Sequence, residues 1–180
     1  MSDEFSTSSI GADAEALNAG RLAARTPAMP AQTTCGEVFN WFIAHPEIPA
    51  IAILDEADMV VGLVNRLIFL ARYARQYAPE LFSRKSILRF ANTAPLIVDE
   101  NVRVGDLGAT LLIENPDALV ECFVVTSRGR YLGVGTGEAL LRYKVVLLQA
   151  HEMELSRALA AANEANKAKG NFLALMSHEL

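Results

Sequence analysis

AIAILDEADMVVGLVNR, residues 50–66, and CFVVTSRGRYLGVGTG, residues 122–137, are two versions of one pattern set about seventy residues apart. Each opens on a continuous apolar run, Ala50 to Leu54 in the first and Cys122 to Val125 in the second, short enough and sharply enough bounded to be a buried strand. A turn follows. Asp55 and Thr126 precede it, Ser127-Arg128-Gly129-Arg130 supplies turn chemistry in the second copy, and seven residues on from Asp55 and Thr126 stand Gly62 and Gly133. Met59 to Val64 and Tyr131 to Val134 then read as the returning strands of two hairpins.

Upstream of each hairpin the same correspondence continues. Gly36-Glu37-Val38 opens a helical pattern with Val38, Trp41 and Phe42 on one face, and Gly105-Asp106-Leu107 opens another with Leu107, Leu111 and Leu112. Proline-containing turns at His45-Pro46 and Asn115-Pro116 end these helices. Helices from about Asn65 to Gln76 and from Thr136 onward close the two units, and leading strands are predicted at Ala28 to Gln32 and Pro95 to Val98. An internal repeat of this kind implies two copies of one supersecondary unit packed together. The predicted fold class is α/β (α+β), with tandem β-α-β-β-α repeats followed by a long C-terminal helix.

A helix, two strands and a helix, with an extra strand ahead of each copy, resembles a tandem pair of CBS domains over roughly residues 28–145. Gly62-Leu-Val-Asn65-Arg66, Phe82-Ser-Arg84-Lys85 and Tyr131-x-Gly133-x-Gly135-Thr136 are similar to the CBS-like sensory region ahead of some bacterial diguanylate cyclases and hybrid kinases. The resemblance implies adenosine nucleotides as ligands, bound between the repeats, with the ribose held by an aspartate three residues after a threonine. Here Asn65 stands at the threonine position with Ile68 where the aspartate belongs, and Thr136 is followed by Ala139. Both copies lack the carboxylate, so adenine nucleotide binding is expected to be weak, differently organised or absent. Asn65, Arg66, Arg84, Lys85 and Thr136 are the candidate ligand residues, guanidinium and ammonium groups being suited to phosphate. The alternative reading of the same residues is a turn cap and a solvated basic loop.

From about Glu138 to Gly170 the chain contains no proline and is rich in Leu, Ala, Glu, Lys and Arg, the composition of one long helix. Leu141, Leu148, Leu155 and Ala162 recur every seven residues, with Val145, Ala158, Leu159 and Ala165 beside them. Such a stripe needs a partner surface. Either the same helix of another chain supplies it, giving a parallel coiled coil and a homodimer, or the helix folds back on its own domain. Lys169 at a seam position and Gly170 weaken the coil.

Asn171-Phe172-Leu173-Ala174 and Met176-Ser177-His178-Glu179-Leu180 resemble the H-box, F-L-A-x-M-S-H-E-L, of sensor histidine kinases. The resemblance implies that His178 is the phosphoacceptor in ATP-dependent autophosphorylation and that Glu179 orients the imidazole and takes its proton. A histidine suits this role because its ordinary pKa leaves a neutral ring nitrogen near neutral pH. Family members continue with a second dimerisation helix and a catalytic domain that uses ATP, then relay the phosphoryl group to a response-regulator aspartate. The chain is therefore expected to be the sensory front half of a kinase, partnered by a histidine-kinase catalytic domain and a response regulator. Its rivals are a CBS-type regulatory module binding an adenine nucleotide and a non-catalytic dimerisation module.

The expected organisation is a disordered tail over residues 1–27, repeats over 28–85 and 86–143, and a signalling helix over 144–180. With 180 residues and a net charge of -5, the chain lacks the basic footprint of a nucleic-acid binder. The richest apolar run, Met59 to Ala71, is broken by Asn65 and Arg66, so no membrane span is expected, and the acidic N-terminus is unlike a secretory signal. A cytoplasmic location follows. Cys35 and Cys122, and His45 and His151, stand at no disulfide or metal-ligand spacing, so no metal is expected.

Overall fold

The computed structural model describes residues 17–75 and 78–178. Two three-stranded sheets carry the repeats, in strand order β1-β2-β3 and β4-β5-β6. In the first, β1 (Met29–Pro30) runs parallel to β2 (Ala50–Leu54), which pairs antiparallel with β3 (Val60–Asn65). The second repeats the scheme, β4 (Ile97–Asp99) lying parallel to β5 (Phe123–Ser127) and β5 antiparallel to β6 (Arg130–Gly135). Even the irregularities match. The register slips between Ile53 and Leu54 in one hairpin and between Val125 and Thr126 in the other. The second hairpin turns on Arg128 and Gly129, both at positive φ (51° and 78°), the backbone pairing that a tight two-residue hairpin requires.

The helices, in chain order, are α1 (Ala19–Leu22), α2 (Cys35–Ala44), α3 (Arg66–Tyr73), α4 (Ala78–Phe82), α5 (Val104–Ile113), α6 (Asp117–Glu121) and α7 (Gly137–His178). Thr34 starts α2 through a capping box, its hydroxyl accepting from the Glu37 N–H while the Glu37 carboxylate accepts from the Thr34 N–H at 2.8 Å. The bonds that the Glu37 carboxylate accepts from the Thr34 N–H and, at 2.8 Å, from the Thr34 hydroxyl hold that carboxyl below its ordinary value. A depressed carboxyl adds stability above its unfolded pKa and loses it as pH falls through the folded one. Thr34→Ala should cost about 1 kcal/mol in denaturant unfolding, and an NMR titration should find the Glu37 carboxyl moved part of the way back up, since the backbone N–H bond at position 34 remains.

Alternation along β2 explains how the two repeats meet. Ile51 and Ile53 point into a cluster with Val38, Phe42, Val64 and Phe69, whereas Ala50 faces a second cluster with Leu63, Cys122, Val124 and Val134. Small residues on the second face let the sheets approach, and that cluster draws on both copies. Rings extend the first core, with Phe69 stacked on Tyr73 at 5.2 Å and edge-on to Phe90 at 5.6 Å.

The repeats also exchange the segments that precede their leading strands. Ala24, ahead of β1, pairs with Val134 of the second repeat through two 2.9 Å backbone bonds. Asn92, ahead of β4, pairs with Leu63 of the first at 2.8 and 2.9 Å. Gly133 and Gly62 lie at these crossings. A Cβ on Gly133 would stand 2.4 Å from the Ala24 carbonyl oxygen, and one on Gly62 would stand 3.1 Å from the Ala91 Cβ.

The tail expected over residues 1–27 is thus too long at its far end. Ala19 is fully buried, its N–H donates to Val102 O at 2.8 Å, and the Tyr131 hydroxyl donates to Thr26 O at 3.0 Å. Residues 1–16 lie outside the described residues. The repeats together form one compact unit, Ala16–Arg142. Beyond it α7 continues to His178, with Val145, Val146, Leu148, Met153, Leu155 and Leu159 all exposed.

Candidate functional site

A cleft of about 470 Å³ opens between the two repeats. Its first wall belongs to β3, α3 and the crossing segment at 90–96, with Leu63, Ile68 and Phe90 giving hydrocarbon and Arg72 a guanidinium. Opposite stand the end of α5, the Asn115-Pro116 turn and α6, which bring Glu114, Asp117 and Glu121. The sequence pattern places each group. Asn115-Pro116 breaks the helical run after Ile113, so the chain reverses and sets the last residue of α5's turn and both ends of the five-residue α6 along one rim.

Asn65 sits where the repeats touch. Its Oδ1 accepts from the Ile68 N–H at 3.1 Å and caps α3, while its Nδ2 donates to Val120 O at 3.0 Å and to the Cys122 sulfur at 3.6 Å. Asn92 makes a second crossing bond, Nδ2 donating to Glu121 Oε2 at 2.7 Å. Cys122 adopts φ 73° at the entry to β5, and burial pushes its thiol up.

Of the candidate ligand residues read from sequence, Asn65 lines this cleft, beside Ile68 at the position expected to carry a carboxylate. Thr136 caps α7, its Oγ1 accepting from Ala139 N at 3.1 Å in the manner of Asn65. Arg66 donates from Nε to Phe42 O at 3.4 Å. Arg84 and Lys85 are exposed on the loop after α4 and do not line this cleft. His178 is the last residue of α7, and Glu179 lies outside the described residues. Arg72, Asn92, Glu114, Asp117 and Glu121 are polar lining residues that sequence reasoning passed over.

No protein-family model matches the sequence, and no curated protein does. Solved structures do match the fold. The CBS domain of the bacterial CNNM/CorC family Mg2+ transporter in complex with ATP superposes with a TM-score of 0.61 at 16% identity, covering 78% of this chain and 95% of that one. The chain has a CBS-domain fold. CBSX2 in complex with AMP gives a TM-score of 0.55 at 16% identity over 72% of this chain and 96% of its own. A CBS domain-containing protein of unknown function from Bacillus anthracis gives 0.59 at 10% identity over 73% and 94%.

Two of those CBS structures hold adenine nucleotides, and the residues present here do not fit one. Ile68 offers a ribose hydroxyl no acceptor. The α3 N-terminus, which elsewhere would suit an anion, is capped by Asn65, whose amide is spent on Val120 and Cys122. A phosphate entering this CBS cleft would meet one cation, Arg72, and three carboxylates.

Proposed function

We propose that this chain is a CBS-type regulatory module that senses a small molecule between its repeats and passes the result to its C-terminal helix, as the input half of a cytoplasmic two-component sensor histidine kinase. The observation that carries the reading is the helix itself. Leaving β6 through the Thr136 cap, α7 runs 42 residues to His178 without interruption, and an unbroken helix transmits rotation where a flexible linker would not. His178, in the H-box-like segment, is the phosphoacceptor, with Glu179 as its base. A histidine-kinase catalytic domain supplies the phosphoryl group from ATP, and a response-regulator aspartate receives it. Neither nucleic acid nor a membrane span belongs to the reading. Its acidic charge and the lack, among the described residues, of any helix long and apolar enough to cross a membrane support it.

The test is phosphotransfer: incubation with ATP and a separately expressed histidine-kinase catalytic domain should label His178, and a chain that takes no label loses the kinase half of the proposal.

A second reading, a non-catalytic dimerisation module, is favoured by the exposed stripe Leu141, Val145, Leu148, Leu155 and Leu159. Both readings need a homodimer through α7. Leu148→Glu with Leu155→Glu puts four carboxylates into that seam, and the dimer constant from sedimentation equilibrium should weaken by about a hundredfold or more. A doubly substituted chain that still dimerises as the parent does would move the interface elsewhere.

A further inference from the structure

We infer that the cleft between the repeats takes a ligand carrying a protonated amine on an apolar body, and discriminates against phosphorylated ones. The inference rests on the reading above that this cleft is the sensory site, and it concerns what the cleft selects.

The charges decide the class. Glu114, Asp117 and Glu121 along one rim against Arg72 on the other leave a formal surplus of two negative charges around a space large enough for a nucleoside-sized molecule. Glu121 is already engaged by the neutral Asn92 amide, which leaves its charge uncompensated. Glu114 caps the C-terminal end of α5, where the helix dipole adds to the negative potential. Charges of one sign gathered around a cleft draw in the opposite sign and hold out their own. The opposing hydrocarbon of Leu63, Ile68 and Phe90 asks for an apolar ring or chain on the same ligand. A bare divalent ion is a poorer occupant. Among the described residues no three carboxylate, imidazole or thiol groups converge closely enough to hold one.

Matched pairs test the idea. Calorimetric titration with 5′-amino-5′-deoxyadenosine and AMP compares an amine with a phosphate on one scaffold, and tryptamine with indole-3-acetate does the same on another. In whichever scaffold binds, the amine should bind about tenfold or more tightly than its anion, with the preference shrinking at high salt. Glu114→Gln with Asp117→Asn should abolish the preference, and Arg72→Gln should sharpen it. All three side chains are exposed, and circular dichroism before titration verifies that each variant is folded. Tighter binding of AMP would overturn the inference while leaving the regulatory-module reading in place. Silence from all four compounds would overturn both.

Discussion

Gly135→Ala should lower the stability of the repeat pair by about 3 kcal/mol, a fall of roughly 10 °C in melting temperature. Gly135 on β6 lies directly opposite Phe123 on β5, and a Cβ there would come within 2.1 Å of two carbons of the Phe123 ring. The ring has nowhere to go. Phe123 is fully buried, so relief of the overlap means either opening the β5–β6 hairpin or driving the ring into neighbours packed at interior density. Gly133→Ala should act by a different route, since its Cβ would meet the Ala24 carbonyl oxygen, a backbone atom of the exchanged segment, at 2.4 Å. There the Ala24–Val134 pairing should be lost first, and hydrogen exchange at those two amides should rise ahead of global unfolding. Gly105 supplies the contrast. It sits in α5 with nothing within 4 Å of a Cβ, so Gly105→Ala should be neutral or stabilising by up to about 1 kcal/mol. Equal losses at all three positions would mean that the close approaches do not determine the effect.

These glycines also mark the border of what the sequence could disclose. Gly62 and Gly133 were visible as recurring positions, but their reason was not, because the segments that cross them pair through a single residue each and leave no side-chain period. The hairpins were legible because each opens on a continuous apolar run bounded by a turn, Ala50 to Leu54 and Cys122 to Val125, and α2 because Val38, Trp41 and Phe42 fall on one helical face; which way Ile51, Ile53 and Ala50 point is read only from the fold. Five-residue elements such as α4 and α6 are too short to show a period at all. The cleft suffered for the same reason. Glu114, Asp117 and Glu121 read along the chain as the solvated end of a helix and its turn, and only the reversal at Asn115-Pro116 turns them onto one rim. Asn65 was found because it aligns with Thr136, and the alignment proved to be one of helix caps. Its second task, bonding across to Val120 and Cys122, joins residues 55 and 57 positions apart and has no local signature.

His178→Gln should reduce phosphoryl incorporation to background, a loss of at least about a hundredfold, when the chain is incubated with ATP and a separate histidine-kinase catalytic domain. In the proposed step an imidazole nitrogen attacks the γ-phosphorus, the bond from that phosphorus to the β,γ-bridging oxygen breaks, ADP departs, and the proton of the ring passes to a base. The product is a P–N bond, so the label should be lost in acid and survive alkali. Glutamine keeps a polar side chain of similar reach with no nucleophilic nitrogen, which makes the substitution a test of chemistry more than of shape. Glu179→Gln should slow labelling by about a hundredfold without eliminating it, as expected for removal of a general base whose proton water can accept instead. His45 and His151 are the controls. His45 ends α2 with its ring stacked on Trp41 at 4.4 Å and its Nδ1 against Trp41 O at 2.9 Å, so it is occupied as a cap. His151 lies on the exposed surface of α7, two turns upstream of Leu159. Substituting either should leave incorporation unchanged. Label that persists in His178→Gln and disappears in His151→Gln would relocate the acceptor. Label absent from the parent chain, with amine binding at the cleft intact, would leave a CBS-type sensor whose helix speaks to its partner by contact alone.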